Sequence, residues 1–74
     1  MEVTSLMTYE QKLKDLRTER GLSQANIAVI LHTSQQHYGK YENGKIPLPI
    51  EHLITLCKFY NVSADWLLGL KETR

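Results

Sequence analysis

Two adjacent glutamines, Gln35 and Gln36, carry side chains that can read the edges of DNA bases. A glutamine amide both donates and accepts hydrogen bonds, which matches the N6 donor and N7 acceptor of adenine in the major groove. Ser34 precedes them and can cap a helix, because its hydroxyl can accept a hydrogen bond from an otherwise unpaired backbone amide. On that helix Lys40 falls on the outward side with the glutamines, and Tyr38 falls on the inward side. The spacing therefore predicts a short helix with a polar face suited to DNA bases.

A second short helix must come directly before this one and support it. Ser23 can cap it, and one buried face is marked by apolar residues at helical spacing: Ile27, Ala28 and Leu31. Only a tight turn separates the two helices, and His32 occupies the place after the first helix where we expect a left-handed backbone. Residues 22–44 therefore predict two helices joined by a tight turn.

The remaining elements follow from capping signals and apolar spacing along the chain. These signals predict five helices, at residues 9–20, 24–31, 35–42, 50–60 and 64–68. No segment alternates with period two over a useful length, so the fold class is all-α. We expect residues 1–8 to be a flexible N-terminus, 9–69 to form one domain and 70–74 to be a polar C-terminal tail.

Composition limits the classes of protein to which the chain can belong. A net charge of +1, with 42% hydrophobic and 23% charged residues, is ordinary for a small globular domain. So low a charge argues against broad electrostatic binding of nucleic acid, but it permits a few positive and polar groups on one face. No apolar run approaches the roughly 20 residues that span a bilayer, and no secretion signal is evident. The single cysteine, Cys57, fits a reducing compartment, so we expect a cytoplasmic protein without a membrane partner.

Catalytic and metal-binding interpretations have little support in the sequence. His32, His37 and His52 lack the spacing of a ligand set with carboxylates or thiols, and zinc needs about four close ligands. Cys57 falls on an apolar helical face, where it is expected to be a small buried hydrophobe. We find no acid–base pair, nucleophile set or phosphate loop. The sequence therefore predicts no enzyme, no metal, no cofactor and no small-molecule ligand.

Several short motifs occur in a fixed order along the chain. They are Leu22-Ser23-Gln24, Ile27-Ala28, Ser34, Tyr41-Glu42-Asn43-Gly44 and Val62-Ser63-Ala64-Asp65-Trp66-Leu67-Leu68. With these motifs, over about residues 9–68, the chain resembles the Cro/C1-type (Xre-like) helix-turn-helix family of bacterial and phage regulators. Residues 34–45 are most similar to the 434-type phage repressors of that family.

The resemblance implies a compact five-helix, lambda-repressor-like DNA-binding domain whose helix-turn-helix is formed by helices 2 and 3. Helix 3 would lie in the major groove, with base contacts from Gln35, Gln36 and Lys40. Phosphate contacts would come from Gln24, Thr33, His37, Asn43 and Lys45. Arg17 and Glu42 match a pair that bridges helix 1 to the end of helix 3. If this pair is buried, it would orient the reading helix.

The expected partner is a double-stranded operator of roughly palindromic sequence, bound by a homodimer that acts as a transcriptional repressor. Half-sites one helical turn apart, about 34 Å, would present two reading helices to successive major grooves. We expect a dimer surface from apolar residues near the C-terminus: Trp66, Leu67, Leu68 and Leu70. The alternative is a protein-interaction module of the same fold, such as an antitoxin or a bridging factor. The low charge favours this alternative, and the polar face of helix 3 disfavours it.

Three residues depart from what such a domain commonly has. His32 stands where the family commonly has glycine, and a left-handed non-glycine residue costs roughly 1 kcal/mol. Gly39 lies inside helix 3, where it would permit close approach either to a neighbouring helix or to the DNA backbone. Tyr38 replaces a small aliphatic core residue, so its hydroxyl needs a hydrogen-bond partner or an exit to water.

Overall fold

Five helices follow from the local sequence signals and account for the architecture. The computed structural model describes residues 7–74, and most of the segment expected to be a flexible N-terminus lies outside that range. The helices are α1 (Tyr9–Glu19), α2 (Gln24–Ile30), α3 (Gln35–Glu42), α4 (Ile50–Tyr60) and α5 (Ala64–Leu67), and no strand occurs among the described residues. The all-α prediction is confirmed. Three helices end one residue earlier than expected, because that residue serves as the C-cap.

Hydroxyl caps begin four of the five helices, as the sequence predicts. The hydroxyls of Ser23, Ser34 and Ser63 each accept a hydrogen bond from the backbone amide three residues later, at 3.0–3.1 Å. Thr8 does the same for α1 at 3.2 Å. At α2 the Asn26 side chain also accepts from the Ser23 amide at 2.8 Å, which completes a capping box. Sequence reasoning missed this second bond because asparagine stands where glutamate or glutamine usually signals the motif.

In the part of the chain that the structure describes, two non-glycine residues adopt the left-handed conformation, and both follow a helix end. His32 and Asn61 each have φ of 58°, so the prediction for His32 is confirmed. After the His32 reversal, the Thr33 amide donates to the Ala28 carbonyl at 2.9 Å. This bond closes the turn between α2 and α3 and sets the angle at which α3 begins.

The core is formed by buried residues from all five helices. Its buried residues are Leu13, Leu16, Ile27, Ala28, Leu31, Tyr38, Tyr41, Leu53, Leu56, Tyr60, Trp66 and Leu67. α1 contacts both α3 and α5, while α2 packs mainly on α3. α1 therefore connects the helix-turn-helix to the elements that close the core behind it. Within residues 7–74, no helix has the length and apolar character needed to cross a membrane.

The surface expected near the C-terminus must be corrected for two of its four residues. Leu67 is 1% exposed and Trp66 is 9% exposed, so both belong to the core. Lys12 of α1 closes over the indole, with its ammonium nitrogen 4.8 Å from the ring centroid. Leu68 and Leu70 remain exposed. These two residues are buried because one side of α5, although the helix is short, packs against α1.

The final residue of the chain folds back onto this end of the domain. The Arg74 carbonyl accepts a hydrogen bond from the Ser63 amide at 3.0 Å. Its guanidinium forms two hydrogen bonds with Glu19, at 2.8 and 3.1 Å, and lies 5.0 Å from the centroid of the Trp66 ring. The Glu19–Arg74 pair is about half exposed. The polar tail is thus in contact with α1 and α5.

Candidate nucleic-acid interface

α3 has one face in the core and the opposite face open. Tyr38 and Tyr41 are 0% and 2% exposed, and they anchor the inner side of the helix. Gln35, Gln36 and Lys40 are exposed on the outer side. The Ser34 hydroxyl accepts the capping bond from the His37 amide, and the turn before it is closed by the Thr33–Ala28 bond. Together these bonds determine where the outer face of α3 begins. The three side chains expected to contact bases therefore share one accessible surface.

A shallow depression of about 540 Å³ lies along this outer face. It is lined by Gln24, Gln35, Gln36, Gly39, Lys40, Asn43 and Lys45. Six of the eight residues expected to contact DNA are thus brought together, from α2, α3 and the loop that follows. Two lysines and no carboxylate occur among the lining residues, so the depression is suited to a polyanion.

Thr33 and His37, the other two expected DNA contacts, do not line the depression. Thr33 is half-buried in the turn before α3. The His37 ring packs edge-on against Tyr41, with ring centroids 5.2 Å apart, and Tyr41 in turn contacts His52 of α4 at 5.8 Å. Neither residue therefore forms part of the depression.

A buried ion pair joins α1 to the last turn of α3. Arg17 Nε donates to Glu42 Oε2 at 2.8 Å, and Arg17 Nη2 donates to Glu42 Oε1 at 3.1 Å. The Arg17 side chain is 12% exposed and the Glu42 side chain 1%. A third guanidinium nitrogen, Nη1, donates to the Leu22 carbonyl at 2.9 Å. The structure thus forms the bridge that the resemblance implied and adds an anchor just before α2.

The charge state of Glu42 reflects these contacts. Burial would raise the pKa of its carboxyl group, but hydrogen bonds, above all from Arg17, outweigh burial and hold the pKa below its ordinary value. The same bonds raise the pKa of Arg17. Glu42 is therefore a charged group inside the domain, and it stays charged because Arg17 is beside it.

Gln24 connects α2 to the same carboxylate. Its amide nitrogen donates to Glu42 Oε1 at 3.2 Å, and the residue is half-buried. Gln24 was expected at a phosphate, yet in this structure one of its two amide hydrogens is used within the protein. The sequence held no local signal for this bond, since 18 residues separate the partners.

Gly39 lies beneath the Gln24 side chain. A Cβ atom at position 39 would lie 3.3 Å from Gln24 Oε1, which is tighter than most real Cβ contacts. Of the two reasons considered for this glycine, the structure shows close approach to the neighbouring helix. The backbone at Gly39 is helical, so space rather than an unusual φ accounts for glycine here.

Tyr38 does not meet the expectation made for its hydroxyl. Among residues 7–74, the buried hydroxyls of Tyr38 and Tyr60 have no hydrogen-bond partner. Burial raises the pKa of Tyr60 to about 12, and burial together with the nearby Glu42 carboxylate raises the pKa of Tyr38. Both phenols therefore remain neutral, and the Tyr60 hydroxyl is an unsatisfied polar group in the core.

Comparison with known proteins supplies a family. The model of the family described as Helix-turn-helix matches residues 13–67. A SPbeta prophage-derived uncharacterized HTH-type transcriptional regulator, YonR of Bacillus subtilis, is 40% identical over 60 residues, which cover 81% of this chain and 56% of that protein. The cryptic phage CTXphi transcriptional repressor RstR of Vibrio cholerae is 34% identical over 65 residues, covering 88% and 59%. The chain thus spans somewhat more than half the length of these relatives.

A solved structure shares the arrangement of helices. The P22 c2 repressor protein, determined in complex with the synthetic operator 9T, superimposes with a TM-score of 0.78. The alignment covers 89% of this chain and all of that one, at 20% identity. This likeness confirms the lambda-repressor-like fold.

Proposed function

This chain belongs to the Cro/C1-type helix-turn-helix family, and from that premise we propose that it is a sequence-specific, double-stranded DNA-binding transcriptional regulator that acts as a repressor. The observation that carries the proposal is the depression on the outer face of α3, where six polar or positive side chains from three segments converge. In a bacterium or a phage-infected cell it would work in the cytoplasm, at the nucleoid.

Base recognition is assigned to three exposed side chains of α3. Gln35 and Gln36 lie on its first turn, the part of a reading helix that enters the major groove. Their amides suit adenine, and Lys40, about one turn later, can donate to the O6 and N7 acceptors of guanine. These contacts would set sequence preference.

Phosphate contacts are assigned to residues around that face. Asn43 and Lys45 follow the C-terminus of α3 and line the same depression. Thr33 lies in the turn before α3, His37 lies on its first turn, and Gln24 begins α2. Such contacts would set the register of the protein on the duplex without choosing its sequence.

A homodimer on a roughly palindromic operator completes the proposal. Two copies would place their α3 helices in successive major grooves, about 34 Å apart. Leu68 and Leu70, 48% and 73% exposed, are the apolar side chains assigned to the contact between copies. Trp66 and Leu67 would support that contact only from within the core.

Selection of bound sequences from random duplex DNA tests the proposal directly. We expect enrichment of an inverted repeat whose half-sites are centred about 10 base pairs apart, and an affinity that falls as salt rises. The selected duplex, placed across a promoter, should reduce reporter expression. If no sequence is enriched and no salt-dependent binding occurs, the protein-interaction alternative replaces this proposal.

A further inference from the structure

We infer that Gln24 is a positioning residue for the reading helix: from α2 it reaches over the bare backbone of Gly39 and holds the carboxylate of Glu42, so that Gln24 and Gly39 together seat α3 against α2. The consequence for DNA reading rests on the function proposed above. The seating itself belongs to the protein without DNA and can be tested there.

One carboxylate, that of Glu42, connects three helices through its hydrogen bonds, which is the first support for the inference. Glu42 Oε1 accepts from Arg17 Nη2 at 3.1 Å and from Gln24 Nε2 at 3.2 Å, while Oε2 accepts from Arg17 Nε at 2.8 Å. Arg17 belongs to α1, Gln24 to α2 and Glu42 to α3. Without Gln24 the ion pair would connect only α1 and α3.

The second support is the fit between Gln24 and Gly39. Three atoms of the Gln24 amide group, Oε1, Cδ and Nε2, would lie 3.3, 3.9 and 3.9 Å from a Cβ atom at position 39. Glycine is unfavourable inside a helix, and nothing in the local φ requires it here. The absent side chain therefore makes the space that the Gln24 amide occupies.

The third support is the state of the amide itself. One N–H of Gln24 already donates to a buried carboxylate, and Oε1 faces the backbone at Gly39. If Gln24 served only to hold a phosphate, its side chain would need no hydrogen bond within the DNA-free protein. Because Gln24 does donate such a bond to Glu42, its positioning role can be measured without DNA.

The deciding measurement is the pKa of Glu42 in the DNA-free protein, read from its carboxyl carbon by NMR over a pH titration. Gln24→Met keeps the length of the side chain and removes the donor, so we expect the pKa of Glu42 to rise by about half a unit to one unit. Gln36→Met is the matched control, because Gln36 lies on the exposed face of α3, and it should leave that pKa unchanged. An unchanged pKa in Gln24→Met overturns the inference.

Gly39→Met tests the space that the glycine leaves. It should raise the pKa of Glu42 in the parent chain by displacing Gln24. When it is combined with Gln24→Ala, the pKa of Glu42 should be the same as in Gln24→Ala alone. If Gly39→Met leaves the pKa as it was, the role assigned to Gly39 is wrong. Should this variant fail to fold, Gly39→Ala, which adds only the Cβ, takes its place in the same comparison.

The effect on DNA is measured with the duplex selected above and a scrambled duplex of equal length. If Gln24 seats the reading helix, Gln24→Met lowers the ratio of the two affinities several-fold. A phosphate contact alone would weaken both equally, and that result would overturn the reading consequence. If no duplex is selected, the proposed function fails, and the Glu42 titration still decides whether Gln24 and Gly39 seat α3.

Discussion

Removing the arginine of the buried pair should destabilise the domain strongly, and more at neutral pH than in acid. Arg17→Met leaves the Glu42 carboxylate, 1% exposed, without its charged partner. Breaking a buried pair by deleting one partner costs about 3–5 kcal/mol. At pH 7 we expect Arg17→Met to lower the free energy of unfolding by about 3 kcal/mol. This is the lower end of the range, because the Arg17 side chain is still 12% exposed and Glu42 can take up a proton.

The pH dependence has opposite signs in the two proteins. In the parent chain the pKa of Glu42 is below its ordinary value, so its contribution is present above the unfolded pKa, about 4.3, and is lost as pH falls through the folded pKa. In Arg17→Met burial dominates and raises the folded pKa, so stability falls as pH rises above about 4.3. The difference between the two free energies of unfolding should therefore be full at pH 7, shrink as pH falls toward about 4.3, and become small only below the folded pKa of Glu42 in the parent chain.

Urea unfolding followed by circular dichroism between pH 4 and pH 7.5 measures this difference. A loss of about 3 kcal/mol corresponds to a fall in Tm of about 12–24 °C for a domain of this size. Glu19→Gln is the matched control, since it breaks a pair that is about half exposed, and it should hardly change the midpoint. A loss below about 1 kcal/mol with no dependence on pH would refute the account of Glu42 as a buried, charged group.

Three further substitutions test other parts of the structure. His32→Gly should raise the free energy of unfolding by about 1 kcal/mol by relieving the left-handed backbone, and an unchanged or lower Tm would contradict the strain assigned to that residue. Tyr60→Phe should stabilise the domain by about 1 kcal/mol, because it removes a buried hydroxyl without a partner; destabilisation in thermal melts would show that the hydroxyl is bonded in solution. Gln35→Ala should cost about 1–3 kcal/mol on the selected duplex and little on random DNA, whereas equal losses in a titration of both duplexes would remove Gln35 from base reading.

Part of the site could be foreseen because its signals are local. The serine caps, the apolar spacing and the left-handed residue at His32 each depend on atoms within about one helical turn. They place Gln35, Gln36 and Lys40 on one side of α3 before any packing is known. The family motifs then supplied the Arg17–Glu42 pair, which spacing alone could not.

Other features depended on how the helices pack. Leu68 and Trp66 look alike as apolar residues of one short helix, yet the first is exposed and the second is covered by Lys12 and Arg74. Likewise, the Tyr60 hydroxyl is buried and has no hydrogen-bond partner among the described residues. Burial of this kind is a property of neighbours that are distant in sequence.

The sequence by itself determined five helices, their caps and the polar face of the reading helix, since each results from interactions between residues close together in the chain. Only the tertiary structure decided that Gln24 reaches Glu42 over Gly39, and that Trp66 and Leu67 belong to the core. Hydrogen bonds between partners 18 residues apart require the helices to dock at a particular distance and angle. That docking is set by the packing of the whole core, which no single segment specifies.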